Sequence, residues 1–273
     1  MQKYAVISTD FGHLYSFFMP ITAMLWKNHI GFDTISILIG NQDIWNKRKE
    51  GKLIYEETMK YSSKIKFLPV VPKMKSASTA QVSRIFASAH TEINDDDYLL
   101  SADVDMFPLH KKWFNEQDDS KRLHIRNAQH WKNVKRFAIC YVGGKAITWR
   151  EIMNIRQDGI FNEMKRVIKT KDVDWRYDER TLTKNILSWD GWKKDVQLIN
   201  KAPYSGIYRA NGNFDGNKRT IVNNVEAHVW RPGYMGANWI NVMRLLKTVC
   251  TPEEVSAVKI YRREYCKSRG LNV

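Results

Sequence analysis

The sequence predicts an α/β fold with a mixed, mainly parallel central sheet that is flanked by helices and followed by a C-terminal helix. Short β-branched and apolar runs alternate with helix-length segments through the first hundred residues, which is the order that produces βαβ units. Hydrophobic residues make up 43% of the 273 positions and charged residues 27%, as in globular proteins with a substantial core. The chain has no internal repeat and no Gly/Ser-rich linker, so we expect one compact domain.

The first half contains four predicted strands separated by three predicted helices. The strands are expected at residues 4–8, 34–39, 65–71 and 98–100, and the helices at 14–29, 42–62 and 78–90. In parallel sheets, ligands bind beyond the carboxyl ends of the strands. Thr9 and Asp10 follow the first of these strands, and Asp103-Val104-Asp105 follows the fourth. These positions are therefore the first candidates for a binding site.

The second half is less regular, and its last helix is the clearest element. We expect a strand at 137–142 ending in Gly143-Gly144, and helices beginning near 147 and at 178–187. Thr251-Pro252-Glu253-Glu254 is a capping box with proline at the first helical position. It predicts a helix to about residue 268. We divide the single domain into 1–250, with halves of about 1–110 and 111–250, and a helical extension at 251–273.

The chain is strongly basic, with 44 Lys and Arg against 29 Asp and Glu and a net charge of +15. This balance favours anionic partners such as phosphate-bearing substrates. The three cysteines lack metal-ligand spacing. Neither a signal-peptide pattern nor an apolar stretch of 18 residues is present. We therefore expect a cytoplasmic protein, bacterial or virus-encoded, without a transmembrane segment; peripheral membrane contact is compatible with the charge.

The triplet Asp103-Val104-Asp105 carries the clearest chemical signal. In an extended chain, side chains i and i+2 point to the same side, about 6.5–7 Å apart. Two carboxylates at that spacing can hold Mn²⁺ or Mg²⁺, which keep coordination positions for substrate phosphates. Because the flanking sequence is apolar, unpaired carboxylates here would cost several kcal/mol without a compensating cation or donor. A solvated surface turn is the alternative.

The run 78–86 that leads to 98–105 resembles the GT-A-fold, DXD-containing nucleotide-sugar glycosyltransferases, most closely family eight, the glycogenin-like and bacterial galactosyltransferase-like enzymes. The resemblance implies a single Rossmann-like GT-A domain. It also implies that Arg84 reaches the sugar donor, and that Asp103 and Asp105 bind the metal and the nucleotide diphosphate. Val104 would lie against the donor as well.

Further segments resemble this family in the same order along the chain. Asp10 and Tyr15 would cradle the base, and Thr9 would also belong to the nucleotide-binding residues. Gly143-Gly144 would belong to the sugar-binding strand, although the family usually has asparagine where Val142 stands. His228 would supply a third metal ligand. The glycine and lysine that usually follow it are missing, and Arg231 would provide the charge for the phosphates.

The remaining candidates are two acids and two tryptophans. Asp178 and Glu179 begin a predicted helix, where one of them could simply balance the helix dipole. The resemblance puts one of them, Asp178 before Glu179, beside the reacting sugar as a catalytic residue. Trp175 and Trp230 adjoin these segments, and aromatic faces pack well against sugars. We assign both to acceptor binding, with core packing as the alternative.

Together these features predict a metal-dependent hexosyl- or pentosyltransferase that moves a sugar from a nucleotide-diphosphate sugar, UDP-sugar first, to a glycan, glycoprotein or glycolipid. Retention of the anomeric configuration is favoured over inversion. The alternatives are a nucleic-acid-binding protein, a nucleotidyltransferase using the same acids, and an inactive sugar-binding module. Nucleic acid is the less favoured partner because the sequence lacks zinc spacing, an aromatic RNA-binding signature and a dense basic helix.

Overall fold

The computed structural model describes residues 1–128, 135–156, 158–168, 173–203, 205–207 and 223–272. Within these ranges a seven-stranded sheet and a three-stranded sheet are surrounded by helices. The strands are β1 (Lys3–Thr9), β2 (Asp33–Ile39), β3 (Lys64–Leu68), β4 (Tyr98–Ser101), β5 (Met106–Pro108), β6 (Leu123–Arg126), β7 (Val142–Lys145), β8 (Val196–Ile199), β9 (Ser205–Ile207) and β10 (Asn224–His228).

The large sheet has the strand order β3-β2-β1-β4-β7-β6-β8. β3, β2, β1 and β4 are mutually parallel, and β6 is parallel to β8. β7 is antiparallel to both of its neighbours. The small sheet has the order β5-β10-β9, with β10 antiparallel to β5 and parallel to β9. The predicted α/β fold class, with a mixed and mainly parallel sheet between helices, is confirmed.

The α-helices are α1 (Met19–Met24), α2 (Gln42–Lys47), α3 (Lys49–Met59), α4 (Ser76–Ser83), α5 (Lys111–Asn115), α6 (Ala146–Met153), α7 (Ile160–Val167), α8 (Tyr177–Ser188), α9 (Gly236–Val249) and α10 (Pro252–Ser268). A 3₁₀ turn (Ser16–Phe18) precedes α1, a π-helical turn (Leu25–Ile30) follows it, and a 3₁₀ helix (Arg84–Ala89) continues α4. No helix in the described ranges has both the length and the apolar character that crossing a bilayer requires.

Alternating side chains of the central strands feed two hydrophobic clusters, one on each face of the sheet. In β1, Ala5 and Ile7 belong to one cluster, and Tyr4 and Val6 to the other, because successive side chains of a strand point to opposite faces. The first cluster includes buried residues of α1, α3, α9 and α10. The second includes those of α4, α6, α7 and α8. Both faces are therefore covered, as a parallel sheet requires.

The C-terminal helix α10 begins as predicted. The Thr251 hydroxyl accepts from the Glu254 backbone N–H, and the Glu254 side chain accepts from the Thr251 N–H, so the capping box is complete. Tyr261 and Tyr265 are buried, and their rings lie 5.2 Å and 5.1 Å from that of Phe17. This helix therefore packs into the main core.

The strand predicted at 137–142 is wrong. The strand in this region is β7, Val142–Lys145, so that Gly143 and Gly144 lie inside it instead of ending it. A Cβ on Gly143 would lie 2.3 Å from the Tyr98 hydroxyl, and one on Gly144 would lie 2.7 Å from the Arg122 carbonyl oxygen. The two glycines permit close packing of β7 with its neighbours, a tertiary requirement that strand propensity does not reveal.

Two predicted helices also differ in detail. The segment predicted at 42–62 is divided into α2 and α3, with Arg48 in an extended conformation between them. The helix predicted at 78–90 changes to 3₁₀ geometry from Arg84 onward. The acidic triplet lies in the turn that follows β4 and not in the strand itself.

Candidate functional site

A cavity of about 570 Å³ opens at the carboxyl ends of β1 and β4. This is the edge at which a parallel sheet is expected to bind ligands. Most of the candidates taken from the sequence line this one cavity, namely Thr9, Asp10, Tyr15, Arg84, Asp103, Val104, Asp105, Trp175, Asp178, Glu179, His228 and Arg231. Residues far apart in the chain thus meet at one place.

Three candidates do not line the cavity. Gly143 and Gly144 lie within β7, between β4 and β6, where their missing side chains make room for neighbouring strands. Trp230 follows β10 and is 42% exposed, but it is outside the cavity wall. The positions of these three residues favour packing roles for the glycines and a surface role for the tryptophan.

Arg84 connects three segments at the floor of the cavity. Its guanidinium is buried and donates from Nη1 to the Ala102 carbonyl oxygen (2.9 Å) and to the Asp103 carboxylate. Nη2 donates to Asp178 Oδ2 at 3.2 Å, and Nε donates to the Gln81 carbonyl oxygen at 3.2 Å. One cation therefore joins the end of α4, the turn after β4 and the first turn of α8.

The two carboxylates that share Arg84 have shifted pKa values of opposite sign. Burial raises the pKa of Asp103, but the charge and the hydrogen bond of Arg84 outweigh burial and leave this pKa below its ordinary value. Burial raises the pKa of Asp178 to about 6, against the opposing charge of Arg84. Asp178 is 2% exposed, whereas the Asp103 side chain is 31% exposed. The deeper acid is thus the one that takes up a proton near neutral pH.

Asp105 forms a second polar cluster with residues that follow β10. Its Oδ2 lies 3.0 Å from His228 Nε2 and 3.5 Å from Arg231 Nε. The Val229 backbone N–H donates to the Asp105 carbonyl oxygen at 3.0 Å. This bond continues the pairing of β10 with β5 and holds His228 beside the acidic turn.

The predicted metal ligands have suitable donor atoms but separate partners. Two carboxylates and an imidazole line the same cavity, and these donors suit Mn²⁺ or Mg²⁺. Asp103 pairs with Arg84, however, while Asp105 contacts His228. Among the described residues, no three His, Cys, Asp or Glu side chains converge closely enough to form a metal cluster. A cation would therefore compete with Arg84 for Asp103.

Asp10 is held by two donors at the end of β1. Its Oδ1 accepts from the Gly12 backbone N–H at 3.0 Å, and its Oδ2 accepts from the Ser76 hydroxyl at 2.7 Å. Thr9 is buried, and its hydroxyl donates to the Asp10 carbonyl oxygen at 2.9 Å. These bonds connect the loop after β1 to the first residue of α4.

Two aromatic rings and a guanidinium form one wall of the cavity. The Arg231 guanidinium lies over the Tyr15 ring, 4.5 Å from its centroid, which is a cation–π geometry. The ring centroids of Tyr15 and Trp175 are 6.4 Å apart. Trp175 is 56% exposed, so its ring is available at the rim of the cavity.

The structure adds cavity residues that were not among the candidates. Arg136 lines the cavity and pairs with Glu179, and Arg176 and Gln81 line it as well. Arg176 adjoins Trp175 in sequence, so the segment itself was a signal for it. Arg136 lies 43 residues from Glu179, and no local pattern connects the two.

Neither the protein-family models nor the curated proteins contain a match to this chain. Several solved structures have a similar overall fold. The glycosyltransferase GlyE in Streptococcus pneumoniae TIGR4 is 11% identical with a TM-score of 0.48, covering 98% of this chain and 64% of that chain. The bifunctional glycosyltransferase WbbM is 12% identical with a TM-score of 0.45, covering 94% and 51%.

Glucosyl-3-phosphoglycerate synthase from Mycobacterium tuberculosis, in complex with Mn²⁺, UDP and phosphoglyceric acid, is 10% identical with a TM-score of 0.39, covering 92% of this chain and 79% of that chain. This chain spans 64% of the length of GlyE and 51% of that of WbbM. At such identities and TM-scores, no reaction, metal or substrate transfers from those proteins to this chain.

Proposed function

We propose that this chain is a metal-dependent glycosyltransferase that uses a nucleotide-diphosphate sugar, with a UDP-sugar as the first choice. The observation that carries the proposal is that Asp103, Asp105, His228, Arg84 and Asp178 all line one cavity at the carboxyl edge of the sheet. These residues come from four separate segments of the chain. Carboxylates that were merely solvated on the surface would not be expected to form ion pairs with a buried arginine, as Asp103 and Asp178 do with Arg84.

In this proposal Asp103, Asp105 and His228 hold Mn²⁺ or Mg²⁺. When bound, such an ion neutralises the diphosphate that leaves as the bond to the sugar breaks. Arg231 lies within 3.5 Å of Asp105 and can add a charge-assisted hydrogen bond to the same phosphates. Tyr15, Asp10 and Thr9 bind the nucleotide at the end of β1, with the base against Tyr15 and Asp10.

We assign Asp178 to the reacting sugar and propose retention of the anomeric configuration. Its carboxylate is buried beside Arg84, whereas the exposed Trp175 is at the rim where an acceptor would enter. In this proposal the Asp178 carboxylate, at the floor of the cavity, stabilises positive charge on the sugar ring, and the acceptor enters from the side of Trp175. Glu179, paired with Arg136, positions the same helix turn. The anomer formed, observed by proton NMR of the product, tests retention.

The acceptor in this proposal is a glycan, a glycoprotein or a glycolipid, and the cytoplasm is the proposed site of action. Trp175 is the better supported of the two acceptor candidates because it lines the cavity, whereas Trp230 lies outside it. Residues 251–273 are proposed as an extension of the same domain.

The decisive experiment measures the melting temperature with a panel of nucleotide-sugars, with and without Mn²⁺. A ligand at about 100 times its Kd adds about 2.7 kcal/mol to the free energy of unfolding, which is a readily measured shift. We expect the shift only when metal and nucleotide-sugar are both present, and we expect Asp103→Asn and Asp105→Asn to abolish it.

Asp96→Asn is the matched control, because Asp96 precedes β4 at the opposite edge of the sheet and is exposed beside Lys145. This variant should respond like the wild type. A wild-type protein that responds to no nucleotide-sugar in the presence of metal would contradict the proposal. Release of pyrophosphate from a nucleoside triphosphate and a sugar phosphate would instead identify a nucleotidyltransferase.

A further inference from the structure

Four arginines of the described ranges line the cavity, and three of them have carboxylate partners there. Arg84 pairs with Asp103 and Asp178, Arg136 with Glu179, and Arg231 with Asp105. For the fourth, Arg176, no carboxylate within the described ranges forms an ion pair with the guanidinium. Among the described arginines of the cavity wall, Arg176 is therefore the one whose guanidinium forms no ion pair.

The nearest acid in sequence, Asp174, is already engaged. Both of its carboxylate oxygens accept from the Arg180 guanidinium at 2.8 Å, and Oδ1 also accepts from the Arg176 backbone N–H at 3.0 Å. Arg180 is therefore the ion-pair partner of Asp174, and the Arg176 guanidinium forms no ion pair with the described side chains. An exposed arginine without a partner is ordinary on a surface, but this one lines a cavity.

Arg176 is adjacent in sequence to Trp175, the residue of the cavity rim that we assign to acceptor binding. It follows Trp175, whose ring is 56% exposed and lies 6.4 Å from Tyr15. It precedes Asp178, the acid assigned to the reacting sugar, by two residues. In the proposed function the donor phosphates are bound by the metal ion and by Arg231, whose guanidinium lies 4.5 Å from the centroid of the Tyr15 ring. Arg176 is thus close in sequence to the proposed reacting residue, Asp178, and is not assigned to the diphosphate.

We propose that the acceptor carries an anionic group, a carboxylate or a phosphate, which Arg176 binds while the acceptor's sugar ring packs on Trp175. A guanidinium offers two parallel N–H donors that match either group. The net charge of +15 attracts such acceptors from a distance. This inference rests on the proposed glycosyltransferase function and specifies its substrate class.

The test measures acceptor binding by saturation-transfer NMR, with UDP and Mn²⁺ present. The probes are methyl β-glucoside, methyl β-glucuronide and glucose 6-phosphate, which separate the neutral, carboxylate and phosphate cases, and inorganic phosphate, which reports simple anion binding. We expect the wild type to bind at least one anionic sugar about tenfold more tightly than the neutral one, a difference of about 1.4 kcal/mol, because charge-assisted hydrogen bonds are stronger than neutral ones.

Arg176→Gln should remove this preference and leave the affinity for methyl β-glucoside unchanged. Arg122→Gln is the matched control, because it removes an exposed arginine that pairs with Glu151 away from the cavity wall, and it should keep the preference. Equal binding of neutral and anionic sugars by the wild type would overturn the inference, as would equal loss of all sugars in Arg176→Gln. Tight binding of inorganic phosphate alone would also overturn it, since it would indicate an anion site without a sugar.

Hydrolysis of the donor, which needs no acceptor, separates this inference from the proposed function. A wild type that hydrolyses a nucleotide-sugar but does not prefer anionic acceptors would refute the acceptor class alone. A wild type that neither binds nor hydrolyses any nucleotide-sugar would refute the proposed function. Arg122→Gln, outside the cavity wall, should hydrolyse the donor at the wild-type rate.

Discussion

Arg84 has one positive charge and two carboxylate partners, and this imbalance shapes the chemistry of the cavity floor. Asp103, the more exposed partner, is held ionised, whereas the buried Asp178 has a pKa raised to about 6. A group with such a pKa changes its protonation state near neutral pH, as residues at reacting centres often do. Asp178 also makes the free energy of unfolding depend on pH.

We predict that Asp178 lowers the free energy of unfolding as the pH rises from 4 to 7. Its pKa in the folded state, about 6, exceeds the ordinary value of 3.8, so the folded state binds the proton more tightly. The resulting stabilisation is present below the unfolded pKa and is lost as the pH rises through about 6. The loss amounts to about 2–3 kcal/mol.

Urea unfolding at several pH values checks this prediction. Asp178→Asn, which cannot titrate, should gain about 2–3 kcal/mol relative to the wild type between pH 4 and pH 7. Asp96→Asn, an exposed substitution, should follow the wild type over the same range. A difference between Asp178→Asn and the wild type that does not vary with pH would show that burial leaves this pKa unchanged.

At the scale of elements, the packing of β7 against its neighbouring strands requires glycine at the two positions that the sequence also suggested for sugar binding. Gly143 lies opposite Leu100 in the register of β7 with β4, and Gly144 lies opposite both Leu99 and Leu123. Side chains of the adjacent strands occupy the space above the two glycines. Their role as donor contacts remains a prediction, but their positions already require glycine for packing.

We predict that Gly143→Ala destabilises the fold by about 1–3 kcal/mol, because the new methyl group would lie 2.3 Å from the Tyr98 hydroxyl and 2.8 Å from Leu100 Cδ1. Chemical denaturation measures the loss. Adding Tyr98→Phe removes the closest atom and should recover part of it. If Gly143→Ala were as stable as the wild type and yet lost the thermal shift with nucleotide-sugar, Gly143 would be a donor contact and not a packing position.

At the scale of the whole molecule, the C-terminal helix α10 packs into the same hydrophobic core as the first helical segment of the chain. α10 contributes buried Val255, Val258, Tyr261 and Tyr265 to the cluster that also contains Phe17, from the turn before α1. The Tyr261 hydroxyl donates to the Phe17 carbonyl oxygen at 3.0 Å. The loop from β1 to α1 that carries Tyr15 is therefore braced by the C-terminal helix.

We predict that deletion of residues 251–273 prevents cooperative folding, because each large side chain that α10 buries contributes about 1.5–3 kcal/mol to a total stability of only about 5–15 kcal/mol. Loss of a cooperative transition in thermal unfolding followed by circular dichroism would be the expected result. Deletion of residues 271–273 alone is the control and should leave the transition in place. A fully cooperative, stable 1–250 fragment would mean that the helix is an independent appendage.

Much of the fold was predictable from the sequence because its signals are local. Alternating or apolar runs identify β1, β2 and β4, and the capping box at Thr251 identifies the start of α10, since each pattern depends on residues a few positions apart. The carboxyl-edge position of Asp10 and Asp103 follows from strand order alone. The position of β7 is not predicted in this way, because its glycines are required by contacts with other strands.

The sequence by itself determined that charged residues would meet at the edge of an α/β sheet, because the spacing and order of its motifs identify both the strands and the residues that follow them. The partners of those residues were decided only by the tertiary structure. The ion pair of Arg84 with Asp103 spans 19 residues, its pair with Asp178 spans 94, and the contact of Asp105 with His228 spans 123. Such pairings depend on how helices and strands pack, which local periodicity does not encode. The same holds for Arg176, which forms no ion pair with the described side chains.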